Sequence, residues 1–343
     1  MLHILNLTIQ ELEKNLIDWQ EAPFHAQQIF NWIYKKGVMD FIQMSDLSRD
    51  LRERLRKNFY IVSLKPKSLL ESRDGTRKLI LELEDKNLIE AVIIQAEGRL
   101  TGCISTQAGC KFKCIFCASG IKGFKRDLAC GEIIEEVLCL KEHAPDKKLS
   151  HLVFMGTGEP LDNYENSLKA ARIINSKECL NIGARRITIS TCGLIPEIKR
   201  LARENLQFEL SISLHAGDEK TRSRLMPINK KYTLRDLLAV CKEYIEKTGR
   251  QITFEYILIK AINSDLQNAK NLSKILKGLR LAKVNLIPAN PVKELGIEPP
   301  NKLEVLFFRD YLKKEGLNVT LRMPRGEDIQ AACGQLRLCY EDK

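Results

Sequence analysis

Between about residue 100 and residue 321 the chain alternates short apolar runs with amphipathic ones, and nothing else constrains its fold so tightly. HLVFMG, RITIST, FELSIS, ITFEYIL, KVNLIP and NVTLR have strand length and strand composition. GEIIEEVLCLKEHA, TLRDLLAVCKEYIEKTG and LEVLFFRDYLKKEG lie between several of them with the spacing of helices. Strands joined through helices pair in parallel, and the helices cover the sheet. The pattern predicts an α/β fold, a complete or partial barrel, with its site where strands end and loops begin.

Two smaller units precede this region. Thr8 with Glu11 forms a capping-box pattern for a first helix, PFHAQQIFNWIYKKG predicts a second that stops at Lys35, Lys36 and Gly37, and SDLSRDLRERLRKNF predicts a third from Ser45. From Leu69 to Thr106 the period changes to two, with turn signals at Asp74-Gly75 and Glu97-Gly98 around RKLILELE and NLIEAVIIQ. The expected organisation is a basic helical domain over 1–65, a β-ribbon connector over 66–100 and the barrel over 101–343.

Lysine and arginine number 55 against 44 acidic residues, a formal charge of +11. Such a balance favours a polyanionic partner, nucleic acid first, although a generally basic surface gives the same number. No apolar run reaches the roughly 18 residues of a membrane span, and the N-terminus lacks the uninterrupted apolar segment of a signal peptide, so a cytoplasmic protein with no membrane partner is expected.

The chain has 11 cysteines. In GCKFKCIFCASG, Cys110, Cys114 and Cys117 form a C-x3-C-x2-C triplet directly after the strand-like TGCIST. Three close thiolates hold zinc or an iron–sulfur cluster. A closed zinc site wants a fourth ligand at comparable spacing, and the sequence has no second C-x2-C or H-x3-H pair. Three ligands leave one metal position open, which suits a four-iron cluster that binds S-adenosylmethionine there. MGTGEP, Met155 to Pro160, follows a strand; its glycines admit close backbone approach and Glu159 is an acceptor for an ammonium or hydroxyl group. Glu90 stands alone in the apolar NLIEAVIIQ, either buried for a purpose or facing water from an edge strand.

The cysteine triplet resembles that of the radical S-adenosylmethionine superfamily, whose fold is a partial (βα)6 barrel with the cluster in the loop after the first strand. CISTQAGCKFKCIFC, GFKRDL, MGTGEPLDNY, ITISTCG, SISLHA, LIPANP and RMPRGEDIQAACGQL, in that order, resemble the RlmN/Cfr family of adenosine methyltransferases over essentially the whole chain. The resemblance implies one [4Fe-4S] cluster with an open iron site on Cys110, Cys114 and Cys117. It implies S-adenosylmethionine contacts from Gly158, Glu159, Ser190, Ser213, Leu214, His215 and Asn290, two molecules being used per turnover. It further implies that Cys333 becomes S-methylated, that Cys103 later forms a transient disulfide with it, and that Glu90 accepts a proton from the substrate base. Cys130, Cys139, Cys179, Cys192, Cys241 and Cys339 match no motif and read as packing thiols. His25, Asp127 and Ala289 depart from the family's usual Arg, Asn and aromatic residue.

Carbon 2 of adenine is electron-poor and cannot attack a methyl sulfonium directly, so a radical route removes the difficulty. The implied substrates are 23S rRNA, at its peptidyl-transferase-centre adenosine, and tRNA, at the adenosine 3′ of the anticodon, with a flavodoxin-type electron donor. Lys111, Lys113, Lys122, Lys125, Arg126, Arg322 and Arg325 are expected near phosphates. Two alternatives are methylation of carbon 8 of the same rRNA adenosine, and a non-catalytic RNA-binding protein stabilised by zinc.

Overall fold

The computed structural model describes residues 1–144, 146, 148–292 and 295–336, so Cys339 lies outside the described residues. A short strand β1 (Leu2–His3) opens the chain. Helix α1 (Ile9–Asp18) is closed at its start by the expected capping box, Glu11 N to Thr8 Oγ1 at 3.2 Å and Thr8 N to Glu11 Oε2 at 2.7 Å. Helix α2 (His25–Phe30) widens into a π turn at Asn31–Lys35, and Gly37 takes φ +72° just beyond. Helix α3 (Arg49–Asn58) starts later than Ser45, because Ser48 is the residue whose Oγ accepts from Leu51 N, at 3.1 Å. Strand β2 (Phe59–Tyr60) then pairs in parallel with β1, and Leu12, Leu16, Ile29, Phe30, Leu51 and Leu55 fill the core of this unit.

Strands β3 (Lys65–Glu71), β4 (Arg77–Glu82), β5 (Leu88–Ala96) and β6 (Arg99–Cys103) form an antiparallel meander whose turns include both expected ones. The meander is no separate connector. Strand β6 pairs antiparallel with β5 and parallel with the strand that follows the next helix, so a boundary at 100/101 would cut a strand. Period-two patterning marks a strand but does not say which sheet it joins.

Two short strands, β7 (Gln107–Ala108) and β8 (Arg126–Asp127), precede α4 (Cys130–His143). The alternation then runs β9 (His151–Phe154), α5 (Tyr164–Asn175), β10 (Ile187–Thr191), α6 (Ile195–Leu201) and β11 (Glu209–Ser213). It continues through α7 (Glu219–Leu225), α8 (Leu234–Thr248), β12 (Ile252–Leu258), α9 (Leu266–Leu276), β13 (Ala282–Pro288), α10 (Lys302–Lys314) and β14 (Asn318–Leu321). The strands other than β1, β2, β7 and β8 lie in one ten-stranded sheet ordered β14-β13-β12-β11-β10-β9-β6-β5-β4-β3, parallel from β6 through β14. The two end strands β14 and β3 do not pair, so the barrel stays partial, with β14 added beyond the six strands from β6 to β13.

The N-terminal unit docks on α4. Glu135 accepts from Ser63 N, Leu64 N and Ser63 Oγ, and Gly131 N donates to Asn6 Oδ1 at 2.7 Å. Among the described residues no helix is long and apolar enough to cross a membrane.

Candidate active site

Strand β7 pairs with β8, which closes the base of the cysteine loop. Gln107 Nε2 bridges that base to the next loop, donating to Asp127 Oδ1 and Asp162 Oδ2 at 2.8 Å each. Cys110, Cys114 and Cys117 line one open cavity of about 160 Å³. Burial pushes the Cys110 thiol up to about 12, and it raises Cys114 and Cys117 as well, with the neighbouring thiols adding to the rise at Cys114. Such thiols lose their protons when a metal takes the proton's place. No three His, Cys, Asp or Glu side chains among the described residues converge on a single ion. A four-iron cluster bonds each thiolate to a different iron, and three thiols around one open cavity fit it.

The parallel strands deliver the rest of the wall from their C-terminal ends. After β9, Gly156 and Gly158 press against the strand leading into the cysteine loop: a Cβ on Gly156 would lie 2.6 Å from the Ile104 carbonyl carbon, and one on Gly158 2.6 Å from Gln107 Cβ. Gly158 also has φ +105°, which other residues rarely adopt. Glu159 is buried and braces two loops, accepting from Cys192 N at 2.7 Å and Leu161 N at 3.1 Å. Ser190, Ser213 and His215 line the cavity beside it. The Leu214 side chain is instead wholly buried in the core, just past the end of β11. His215 holds φ +59°, accepts from Ile257 N through Nδ1 at 3.0 Å and meets the Phe116 ring edge-on at 4.7 Å. Burial first, and then the Arg222 charge, push its pKa down to about 3, so the imidazole is neutral with its proton on Nε2.

Cys333 lines this cavity and also a second, of about 20 Å³, that it shares with Cys103, Asn290 and Arg322. Asn290 faces this smaller space, not the larger one; its Nδ2 donates to the Cys333 carbonyl at 2.9 Å, and its Oδ1 is buried without a partner. The segment carrying Cys333 is fixed at both ends. Ser72 Oγ donates to Asp328 at 2.6 Å and Gly326 N to Asp74 at 3.0 Å, while Ala118 N and Ser119 Oγ of the cysteine loop donate to the Gly334 and Leu336 carbonyls at 2.8 Å each. Arg322 stands beside Cys333, Glu255 and Cys103.

Residues 2–61 match the family described as the ribosomal RNA large subunit methyltransferase N-terminal domain, and residues 104–272 the radical SAM superfamily. A Clostridium novyi protein named "Probable dual-specificity RNA methyltransferase RlmN" is 45% identical over 341 residues, 99% of each chain. An Alkaliphilus oremlandii protein of the same name is 46% identical over 335 residues, 97% of each. The crystal structure of a radical SAM methyltransferase from Sphaerobacter thermophilus superimposes with a TM-score of 0.95 at 39% identity, covering 99% of this chain and 100% of that one. The chain belongs to the RlmN family. It is therefore a methyltransferase of the radical SAM superfamily, a class that uses a [4Fe-4S] cluster and S-adenosylmethionine.

Three departures from the RlmN-family pattern lie away from the cavity wall or inside the fold. His25 bonds Gln28 Oε1 at 2.6 Å on α2, Asp127 accepts from Gln107, and Ala289 is packed at 2% exposure. Glu90 is buried, which removes the water-facing alternative; Lys78 Nζ lies 2.9 Å from Glu90 Oε1 and donates to the Gln330 carbonyl at 3.1 Å. It borders neither cavity, but it shares a face of β5 with Val92, the cross-strand partner of Cys103. Of the residues expected at phosphates, Arg126 is engaged by Glu132 and Asp85, Lys111 by Asp162, and Arg322 faces Cys333. Lys113, Lys122, Lys125 and Arg325 remain exposed.

Two wall residues escape a motif reading. Glu255, buried inside ITFEYIL, accepts from Asn285 Nδ2 at 2.8 Å and Ser211 Oγ at 3.3 Å, and the sign was a lone carboxylate in an apolar strand, as at Glu90. Cys192 reads as a packing thiol in sequence, yet it lines the cavity with the three loop cysteines.

Proposed function

We propose that this enzyme methylates carbon 2 of adenosine in RNA, at the peptidyl-transferase-centre adenosine of 23S rRNA and at the tRNA adenosine 3′ of the anticodon, with Cys333 as the methyl carrier. The observation that carries the reading is the place of Cys333 at the junction of two cavities, one lined by Cys110, Cys114 and Cys117 and the other by Cys103. When bound, the cluster and two successive S-adenosylmethionine molecules supply a methyl group and then a 5′-deoxyadenosyl radical that removes one hydrogen from it.

Every other step falls to the chain. The three loop cysteines hold the cluster, leaving one iron open for the amino acid end of S-adenosylmethionine. Gly158, Glu159, Ser190, Ser213 and His215 form the bed for that molecule, and Asn290 holds the Cys333 backbone. Cys333 takes the methyl as a nucleophile, because a thiolate is competent for displacement at a methyl sulfonium. After hydrogen loss the methylene adds to the adenine ring, and the ring is rearomatised by losing one proton, to Glu90, and one electron, for which the cluster, oxidised in the cleavage of S-adenosylmethionine, would be the acceptor. Lys78 Nζ, 2.9 Å from Glu90 Oε1, holds that carboxylate in place. Cys103 then attacks the Cys333 sulfur, forming the S–S bond as the S–CH2 bond breaks; the departing methylene takes back a proton, from Glu90, to become the methyl group, and a flavodoxin-type donor reopens the disulfide with two electrons.

An RNA substrate agrees with the net charge of +11 and with Lys113, Lys122, Lys125 and Arg325 exposed on the cysteine loop and the Cys333 segment. The target base must leave its stack to reach so enclosed a site, which suits loops of structured RNA. Mass analysis of adenosines from 23S rRNA and tRNA of a deletion strain, with and without the gene restored, tests the assignment. Restoration of 2-methyladenosine in both pools is expected. An 8-methyladenosine product, or no change in either pool, would refute it.

A further inference from the structure

Helix α7 carries a side chain that the proposed chemistry leaves unused. Arg222 is 1% exposed, and its guanidinium hydrogen-bonds only to neutral groups among the described residues. One terminal nitrogen donates to Asn229 Oδ1 at 2.7 Å, and the other to the carbonyls of Cys192 at 2.8 Å and Ser213 at 3.3 Å. Its Nε has no partner. The carboxylate of Glu219, three residues earlier, is taken up by Asn229 Nδ2 at 2.8 Å and by the amides of Leu234 and Arg235 at 3.1 Å. Glu219 acts on the guanidinium through space and through Asn229 without bonding it directly, and a buried cation that lacks a directly bonded counter-charge remains costly.

The position of Arg222 indicates where the counter-charge belongs. Both carbonyls that it grips belong to cavity-wall residues, Cys192 and Ser213, which share the wall with Cys110, Cys114 and Cys117. The cysteine loop is sutured to the same helix, since Ile115 N donates to the Leu225 carbonyl at 3.0 Å. Negative charge inside this cavity would add to the counter-charge that Glu219 supplies.

We infer that Arg222 is a positioning residue that supplies the standing positive charge of the cluster site, stabilising the three thiolates and the additional electron of the reduced cluster. The inference rests on Cys110, Cys114 and Cys117 being the cluster ligands. One electron enters from a low-potential donor and the net charge in the cavity falls by one; no bond to Arg222 forms or breaks, and no proton moves. Behind a wall that excludes water the field of a fixed cation is weakly screened, so the charge favours the reduced state. Burial pulls the guanidinium pKa down, and the Glu219 carboxylate opposes that fall.

The test is the reduction midpoint of the anaerobically reconstituted full chain, followed by electron paramagnetic resonance during titration with dithionite. Arg222→Gln is expected to shift the one-electron equilibrium at least about tenfold toward the oxidised form, a fall of about 59 mV. Arg222→Lys, which keeps the charge, is expected to stay within about threefold of the parent, or about 28 mV. The pair Glu219→Gln with Asn229→Asp leaves the net charge unchanged but sets a carboxylate on the guanidinium, and it is expected to lower the midpoint as Arg222→Gln does. Parent-like midpoints in both Arg222→Gln and the pair, with iron fully loaded, would overturn the inference. Should Arg222→Gln fail to fold, the pair decides alone: an unshifted midpoint there leaves Arg222 a structural residue. A parent protein that takes up no iron would instead overturn the cluster assignment beneath it.

Discussion

Glu135→Gln isolates one of the contacts that seat the N-terminal unit on the barrel. Glu135 is 3% exposed, and its carboxylate accepts from Ser63 N at 2.9 Å, Leu64 N at 2.9 Å and Ser63 Oγ at 2.7 Å. Burial pushes its pKa up from 4.5 to about 7, against the pull of those donors. The folded state therefore holds the proton more tightly than the unfolded chain does. The stability from this group is complete below the unfolded value and declines as pH rises through the folded one. Between about pH 5 and about pH 8 the loss is about 2.5 kcal/mol. With 343 residues the unfolding entropy is about 0.7 kcal/mol per degree, so the melting temperature should fall by about 3–4 °C from this group alone.

The amide that replaces the carboxyl mimics the protonated acid and removes that component. His3, whose Nε2 lies 3.6 Å from Glu135, has a pKa lowered by burial; it titrates in both proteins and largely cancels in the difference. Calorimetric scans of parent and variant across this range should give curves that approach or cross as pH rises, the parent losing about 3–4 °C more. Parallel curves would refute the argument that burial governs this carboxylate.

Two further outcomes follow from the cavity. Cys114→Ala should abolish iron and sulfide uptake while leaving far-ultraviolet circular dichroism unchanged, because the loop lies outside the main core; a brown, iron-loaded and active variant would contradict the cluster assignment. Gly158→Ala combines φ +105° with a Cβ 2.6 Å from Gln107 Cβ, so it should destabilise the protein by about 1–3 kcal/mol and weaken S-adenosylmethionine binding in equilibrium dialysis.

How far the sequence discloses this molecule depends on whether a feature is local. All six predicted strands from HLVFMG to NVTLR occur as strands, and the capping box at Thr8 is formed, because apolar runs and caps are written in neighbouring residues. The Cys110, Cys114, Cys117 triplet is likewise a spacing. Long-range pairing is not: nothing in RLTGC says that β6 will hydrogen-bond β5 on one side and β9 on the other. Ser45 and Ser48 are both cap residue types in sequence, and Ser48 is the one that accepts from Leu51 N. The Leu214 side chain packs into the core just past the end of β11, while its neighbours Ser213 and His215 line the cavity, a local arrangement that a motif string does not disclose. Arg222 escaped notice because a charged residue in an amphipathic helix carries no local mark of burial.

The most direct test of the central claim, that Cys333 carries the methyl and Cys103 resolves the adduct, compares Cys103→Ala with Cys333→Ala expressed in cells. Cys103→Ala keeps Cys333 and the three cluster cysteines but removes the thiol that shares the small cavity with Cys333. The thioether between the Cys333 sulfur and adenine then has no thiolate to displace it. On a denaturing gel this variant should run with nuclease-sensitive mass above the polypeptide, and Cys333→Ala should show none. Full turnover by Cys103→Ala, or an equal adduct on Cys333→Ala, would show that neither cysteine has the role assigned to it.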